Sequence, residues 1–244
     1  MKTMWRIKER MPLVLHGRMP VPEVRNYPYM VFAGPSGAGK TTMIRSIIES
    51  GAGVFLPKTS PREIREVEVQ GLMPYRYLSY RDFLNLEDPR FETSIVGLGK
   101  VFEEWKYWGS RFKIEPPDEE ECGAHLHEFL AAFLINDIEL VCEIAREEGK
   151  PVVVELSNLH ASNWKQYFPN TQVIVMEAEP KSLVQRLMDR WGKSVVCRAR
   201  LLDALSAPKI LISESTHLSN DTLREKHKNI DQSIKLAKSR FLPA

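Results

Sequence analysis

The chain has 244 residues, 43% of them hydrophobic, and a formal net charge of +2. It is long enough to bury a sizeable core as one domain with insertions, and too nearly neutral for a general electrostatic pull on nucleic acid or membrane surfaces. No apolar run approaches the roughly 20 residues that span a bilayer. Cys122, Cys142 and Cys197 are odd in number and widely spaced, and read as reduced thiols of a cytoplasmic protein rather than as a disulfide framework.

Residues 1–28 are basic but broken by prolines, without the continuous apolar stretch of a signal peptide, and read as an N-terminal extension. "YMVFA" (29–33) is a short apolar, β-rich run. It leads into "GPSGAGKTT" (34–42) and then a helix that places Met43, Ile44, Ile47 and Ile48 on one face before Gly51 stops it. From 51 to 83 the chain is rich in arginine, tyrosine and turn residues, with only short alternating strands, and reads as a pocket wall. "EEWKYWGSRFKI" sets aromatics against charges, and the acidic "EPPDEEE" precedes an expected long amphipathic helix with Leu126, Leu130, Phe133, Leu134, Ile138 and Val141 at helical spacing. "PVVVE" has the unbroken apolar pattern of a central parallel strand. "TQVIVMEAEP" repeats that pattern, "KSLVQRLMDRW" is a helix, "PKILISES" is the expected last strand, and residues 220–241 form the closing helix. Strands alternating with helices predict an α/β fold with a doubly wound parallel sheet.

The stretch from Gly34 to Thr41 fits G-x-x-x-x-G-K-[ST], a phosphate-binding P-loop. Its flanks supply the required context, a buried strand before and a helix after, so that backbone N–H groups converge on phosphate oxygens at a helix N-terminus. Gly34, Ser36, Gly37, Ala38, Gly39, Lys40, Thr41 and Thr42 are therefore the candidate nucleotide-binding residues. Lys40 would contact the β- and γ-phosphates of ATP and Thr41 would ligate Mg2+. Glu155, ending a buried strand, would hold Mg2+-bound water or contact the acceptor, or else serve as a structural hydrogen-bond partner.

In order along the chain, "GPSGAGKTT", "REIREVEVQG" with "YRYLS", "EEWKYWG", "GKPVVVELS" and "RLMDRWGKSVVCRARLL" resemble guanylate kinase and its relatives among the nucleoside-monophosphate kinases. The resemblance runs from about Tyr29 to the C-terminus apart from one insertion. It implies a domain over 29–244 with an acceptor-binding region at 57–112, a helical insertion at 113–148 and an arginine-bearing lid at 186–204. It also implies that Arg62, Arg65 and Tyr75 grip the acceptor phosphate, that Glu104 contacts the base, and that Arg186, Arg190 and Arg200 close over the transferring group.

Departures from the family pattern bear on selectivity. Lys58 stands where the family uses a serine against guanine, Phe112 and Ile114 replace hydroxyl-bearing residues, and Ser157 replaces an aspartate near the strand end. A site that reads a base by hydrogen bonds loses discrimination when its polar groups change. The sequence therefore points to an ATP- and Mg2+-dependent kinase acting on a small phosphorylated acceptor, most simply a nucleoside monophosphate. Two alternatives stand beside it. One is a ribose 1,5-bisphosphate kinase-like enzyme; the other is a non-catalytic guanylate-kinase-like protein-binding module, against which the retained Lys40 and Thr41 argue. Neither nucleic acid nor membrane is an expected partner. Trp105, Tyr107 and Trp108 read as core aromatics before a stacking platform, and Cys122, His125 and His127 match no standard zinc spacing.

Overall fold

A computed structural model describes residues 14–15, 19–61, 76–84, 89–93, 130–192, 197, 200, 215–219 and 223–241. In chain order these form β1 (Val14–Leu15), α1 (Pro22–Arg25), β2 (Tyr29–Ala33), α2 (Lys40–Glu49), β3 (Val54–Phe55), β4 (Thr59–Ser60) and β5 (Arg76–Tyr77). There follow α3 (Tyr80–Leu84), β6 (Pro89–Thr93), β7 (Leu130–Leu134), α4 (Ile135–Glu147), β8 (Val152–Leu156), α5 (Asn158–Tyr167), β9 (Thr171–Glu177), α6 (Pro180–Trp191), β10 (Thr216–Ser219) and α7 (Leu223–Phe241).

One sheet has the order β10-β9-β2-β8-β3 and is parallel throughout. Its strands bury both faces, which explains why their sequences are apolar without alternation. Tyr29, Val31, Ala33, Val152, Val154 and Leu156 face α4 and α5, packing with Ile138, Val141, Cys142, Ala161 and Trp164. Met30, Phe32, Val153, Ile174 and Met176 face the opposite way, onto Met43, Ile44 and Ile47 of α2, Leu183 and Leu187 of α6, and Ala237 of α7. Helices on both faces make the sheet doubly wound. The three buried residues of α2 each contribute about 1.5–3 kcal/mol by leaving water, enough to seat the helix that follows the P-loop.

A second sheet, ordered β1-β6-β7-β4-β5, is mostly antiparallel. Here the long helix expected over residues 125–149 is corrected: Leu130–Leu134 pair with Pro89–Thr93 as a strand, and the helix begins only at Ile135. Continuous apolar sequence allows both conformations, and the available partner strand decides. The first turn of α4 is tied back to this sheet, where Arg76 Nη2 donates to Asp137 Oδ1 at 2.9 Å. The expected strand in "PKILISES" lies almost wholly outside the described residues; the last observed strand is Thr216–Ser219.

Residues just before β2 are built into the core. Val24 is buried, and its carbonyl accepts the Tyr29 hydroxyl proton at 2.9 Å. With that proton committed, the Cys142 thiol 2.9 Å away donates to the tyrosine oxygen. Tyr27 donates to the Lys150 carbonyl at 2.8 Å and Arg25 Nε to the Tyr167 carbonyl at 3.2 Å.

Burial, more than any neighbour, pushes the Cys142 thiol up to about 11 and holds the Tyr29 phenol well above its ordinary value. Both groups keep their protons in the fold and release them more easily in the unfolded chain. The Cys142 contribution to stability is therefore complete below about pH 9, the ordinary thiol range, and is lost as pH rises toward 11, whereas that of Tyr29 is complete below the ordinary phenol range and declines only above it. Urea midpoints measured from pH 7.5 to pH 10.5 should be flat at first and fall above pH 9, and Cys142→Ala should remove part of that fall.

Candidate nucleotide-binding site

The parallel register sets the site. Ala33, the last residue of β2, lies beside Leu156 of β8 and Val175 of β9. The chain therefore emerges between two neighbouring strand ends, at the carboxyl edge where open α/β sheets bind ligands. Gly34 takes the next step with φ of 150°. A Cβ there would lie 2.5 Å from the Met176 carbonyl oxygen, so both the dihedral and the close approach to β9 demand glycine. Ser36 and Gly37 complete the turn, Ala38 is fully buried, and Ala38 N–H bonds the Pro35 carbonyl at 3.3 Å.

Gly39, at φ 91°, is the N-cap of α2; no side chain caps the helix, and no acidic residue stands in its first turn. The N–H groups of that turn and the positive end of the helix dipole are left for an anion. Lys40, Thr41 and Thr42 open the helix, with both threonines exposed. The Lys40 ammonium folds back over the loop, donating to the carbonyls of Gly34 at 2.9 Å and Pro35 at 3.0 Å. Glu155 Oε1 lies 3.8 Å from it, with both side chains about nine-tenths buried. Charges so placed offset part of each other's lost hydration. These features fit a nucleotide phosphate chain: backbone donors at a helix N-terminus, a cation held at the loop, and an exposed threonine at the first turn that could hold a Mg2+ ion.

Arg186 reaches the same loop from α6, donating from Nη1 to the Gly37 carbonyl at 3.1 Å. The helix packs there too, since Leu187 lies where it would meet a Cβ on Gly37. Arg190 and Arg200 each lie over the Trp191 ring, at 5.2 and 5.1 Å from its centroid. Ser157, the N-cap of α5, is hydrogen-bonded to His160 Nδ1 at 2.7 Å. The fully buried His160 was not foreseen; a histidine three residues beyond a cap serine was the available signal. Lys58 is buried, with its ammonium 5.6 Å from the centre of the Phe133 ring.

The remaining sequence candidates, Arg62, Arg65, Tyr75, Glu104, Phe112 and Ile114, lie outside the described residues, as do Trp105, Tyr107, Trp108, Cys122, His125 and His127. Among the described residues no group of three or more His, Cys, Asp or Glu is placed to hold a metal ion, and no helix is long and apolar enough to cross a membrane.

The chain is similar to guanylate kinases. It is 28% identical over 167 residues to one from Chlorobium luteolum, a match covering 66% of each chain. Over 70 residues it is 40% identical to one from Sulfurimonas denitrificans and 34% identical to one from Agrobacterium fabrum. The matched stretch spans just under two thirds of the first relative and about a third of the other two, at 66%, 34% and 31%. No family model matches. Similar solved structures include a sugar kinase from Janibacter sp., at 12% identity and a TM-score of 0.42, covering 86% of this chain and 93% of that one. Another is shikimate kinase from Bacteroides thetaiotaomicron, at 12% identity and a TM-score of 0.38, covering 86% and 98%.

Gly34→Ala meets two obstacles at once, a dihedral that costs about 1–3 kcal/mol for a residue with a side chain and a backbone carbonyl with no room to retreat. It should destabilise the protein by roughly 2–4 kcal/mol, read as a lower urea midpoint, whereas Thr42→Ala, at an exposed position, should change stability by less than about 0.5 kcal/mol.

Proposed function

We propose that this divergent guanylate-kinase-like chain is a cytoplasmic ATP- and Mg2+-dependent phosphotransferase. Its acceptor is a small phosphorylated molecule, most simply a nucleoside monophosphate read with less guanine selectivity. The observation that carries the proposal is the convergence of Lys40, Glu155 and Arg186 on one glycine-shaped loop at a helix N-terminus. The acceptor-binding region at 57–112 and the lid at 186–204 are part of the same proposal.

Phosphoryl transfer asks a protein mainly for alignment and charge stabilisation. ATP supplies the phosphoryl group when bound, and Mg2+ neutralises part of its charge. The first-turn N–H groups of α2 would hold the β-phosphate, and Lys40 would exchange the Gly34 and Pro35 carbonyls for phosphate oxygens. Thr41 would hold the metal ion, while Glu155 keeps the lysine directed into the loop and lies at the same strand end to meet metal-bound water. Arg186, already at Gly37, would act with Arg190 and Arg200 on the charge that spreads in the transition state. An acceptor phosphate, with a second pKa near 6, is a competent nucleophile at pH 7, so the site needs no general base. Arg62, Arg65 and Tyr75 would grip it, with Glu104 and Ser157 nearer its base or sugar.

A second reading, a kinase for a ribose bisphosphate, gains from Lys58. It is 6% exposed and stands where guanylate kinases carry a guanine-contacting serine, and a buried cation there favours an acceptor with a second anionic group over a neutral base edge.

The test is an ATP-consumption screen across nucleoside monophosphates, their deoxy forms and ribose 1,5-bisphosphate. Turnover should require a phosphorylated acceptor, and a preference for GMP above about a hundredfold in kcat/KM, roughly 2.7 kcal/mol, would contradict the selectivity argument. Lys40→Ala should lower kcat by at least about a hundredfold in a folded protein. Arg65→Ala should raise the acceptor KM by about tenfold or more while leaving ATP affinity within about twofold. Activity confined to unphosphorylated alcohols would remove the acceptor-phosphate grip.

A further inference from the structure

Trp191 is the last residue of α6, and two cationic side chains meet on it. The Arg190 guanidinium carbon lies 5.2 Å from the indole centroid and that of Arg200 lies 5.1 Å from it. Arg190 is its chain neighbour; Arg200 arrives from the segment beyond the helix. The negative face of an indole offsets part of the repulsion between two like charges. The ring itself is held in place. It is half-buried against the cluster that contains Leu183 and Leu187, the same residues on which Gly37 of the loop packs, and the helix closes just after it where Gly192 N–H bonds the Met188 carbonyl at 2.8 Å.

We propose that Trp191 is a positioning residue for phosphoryl transfer: one indole seats the Arg190 and Arg200 side chains as a pair, at the end of the helix whose Arg186 is fastened to the nucleotide loop. The seat's purpose rests on the phosphotransferase reading; its geometry does not. A ring contact uses no N–H donor, so it does not compete with phosphate oxygens for the guanidinium fork. The ring contacts therefore do not themselves stand against a contact from either side chain to a transferring phosphoryl group.

Two readouts test the seat, using Trp191→Leu, which removes the ring, and Trp191→Phe, which keeps a smaller one. The first needs no activity. In 15N-edited spectra of the full chain, the Arg190 and Arg200 Nε–H signals, assigned through single Arg→Lys variants, should carry ring-current shifts that vanish in Trp191→Leu and persist in part in Trp191→Phe. Unchanged signals in Trp191→Leu would overturn the seat whatever the enzyme does. The second uses ATP and the best acceptor from the screen. Trp191→Leu should lower kcat by about tenfold or more with ATP KM within about threefold, and Trp191→Phe should recover a substantial part. Adding Trp191→Leu to Arg190→Ala should cost less than about threefold beyond Arg190→Ala alone, because the two changes remove one arrangement. Fully additive losses, or an unaltered kcat, would overturn the positioning role. A wild-type protein that shows the ring-current shifts but turns over no acceptor would refute the phosphotransferase reading and leave the seat standing.

Discussion

The register of one five-residue strand governs the site. β2 is fully buried and hydrogen-bonded on both sides, so it cannot slip by a residue without turning Met30 and Phe32 away from α2 and Tyr29 and Val31 away from α4 and α5. With that register fixed, Ala33 ends level with Leu156 and Val175, and the loop that follows is pressed against the Met176 carbonyl. Glu155 comes alongside for the same reason: it pairs with Phe32 and stands one residue before the strand end, within 3.8 Å of Lys40. The polar chemistry is thus placed by apolar packing.

Four cations are then held in graded fashion. Lys40 is stored within the loop on carbonyl oxygens and next to a carboxylate. Arg186 is fastened to the loop from outside, by a hydrogen bond from Nη1 to the Gly37 carbonyl. Arg190 and Arg200 lie over one aromatic ring.

The central sheet was legible in the sequence because parallel strands buried on both faces write themselves as unbroken apolar runs. "YMVFA" and "PVVVE" predict β2 and β8 almost to the residue, and the glycine-lysine-threonine spacing predicts the loop between sheet and helix. The second sheet was less legible. Leu130, Phe133 and Leu134 fit a helical face as well as a strand, and only pairing with Pro89–Thr93, distant in sequence, selects the strand. Helix α5 was missed because "NLHASNWKQY" has few apolar residues at helical spacing. It is anchored largely by Ala161 and Trp164, both fully buried, with His160 beside them. The pairing of Ser157 with His160 and the gathering of Arg190 and Arg200 on Trp191 depend on side-chain directions that spacing does not record.

The central claim is that strand register has built a phosphate site at the N-terminus of α2. Calorimetric titration of the wild-type chain with ADP and with AMP, each with Mg2+, tests it most directly, because the two nucleotides share base and sugar and differ by the β-phosphate the loop should read. The account predicts ADP binding tighter than AMP by about a hundredfold or more, near 2.7 kcal/mol. Equal affinities for the two would contradict it.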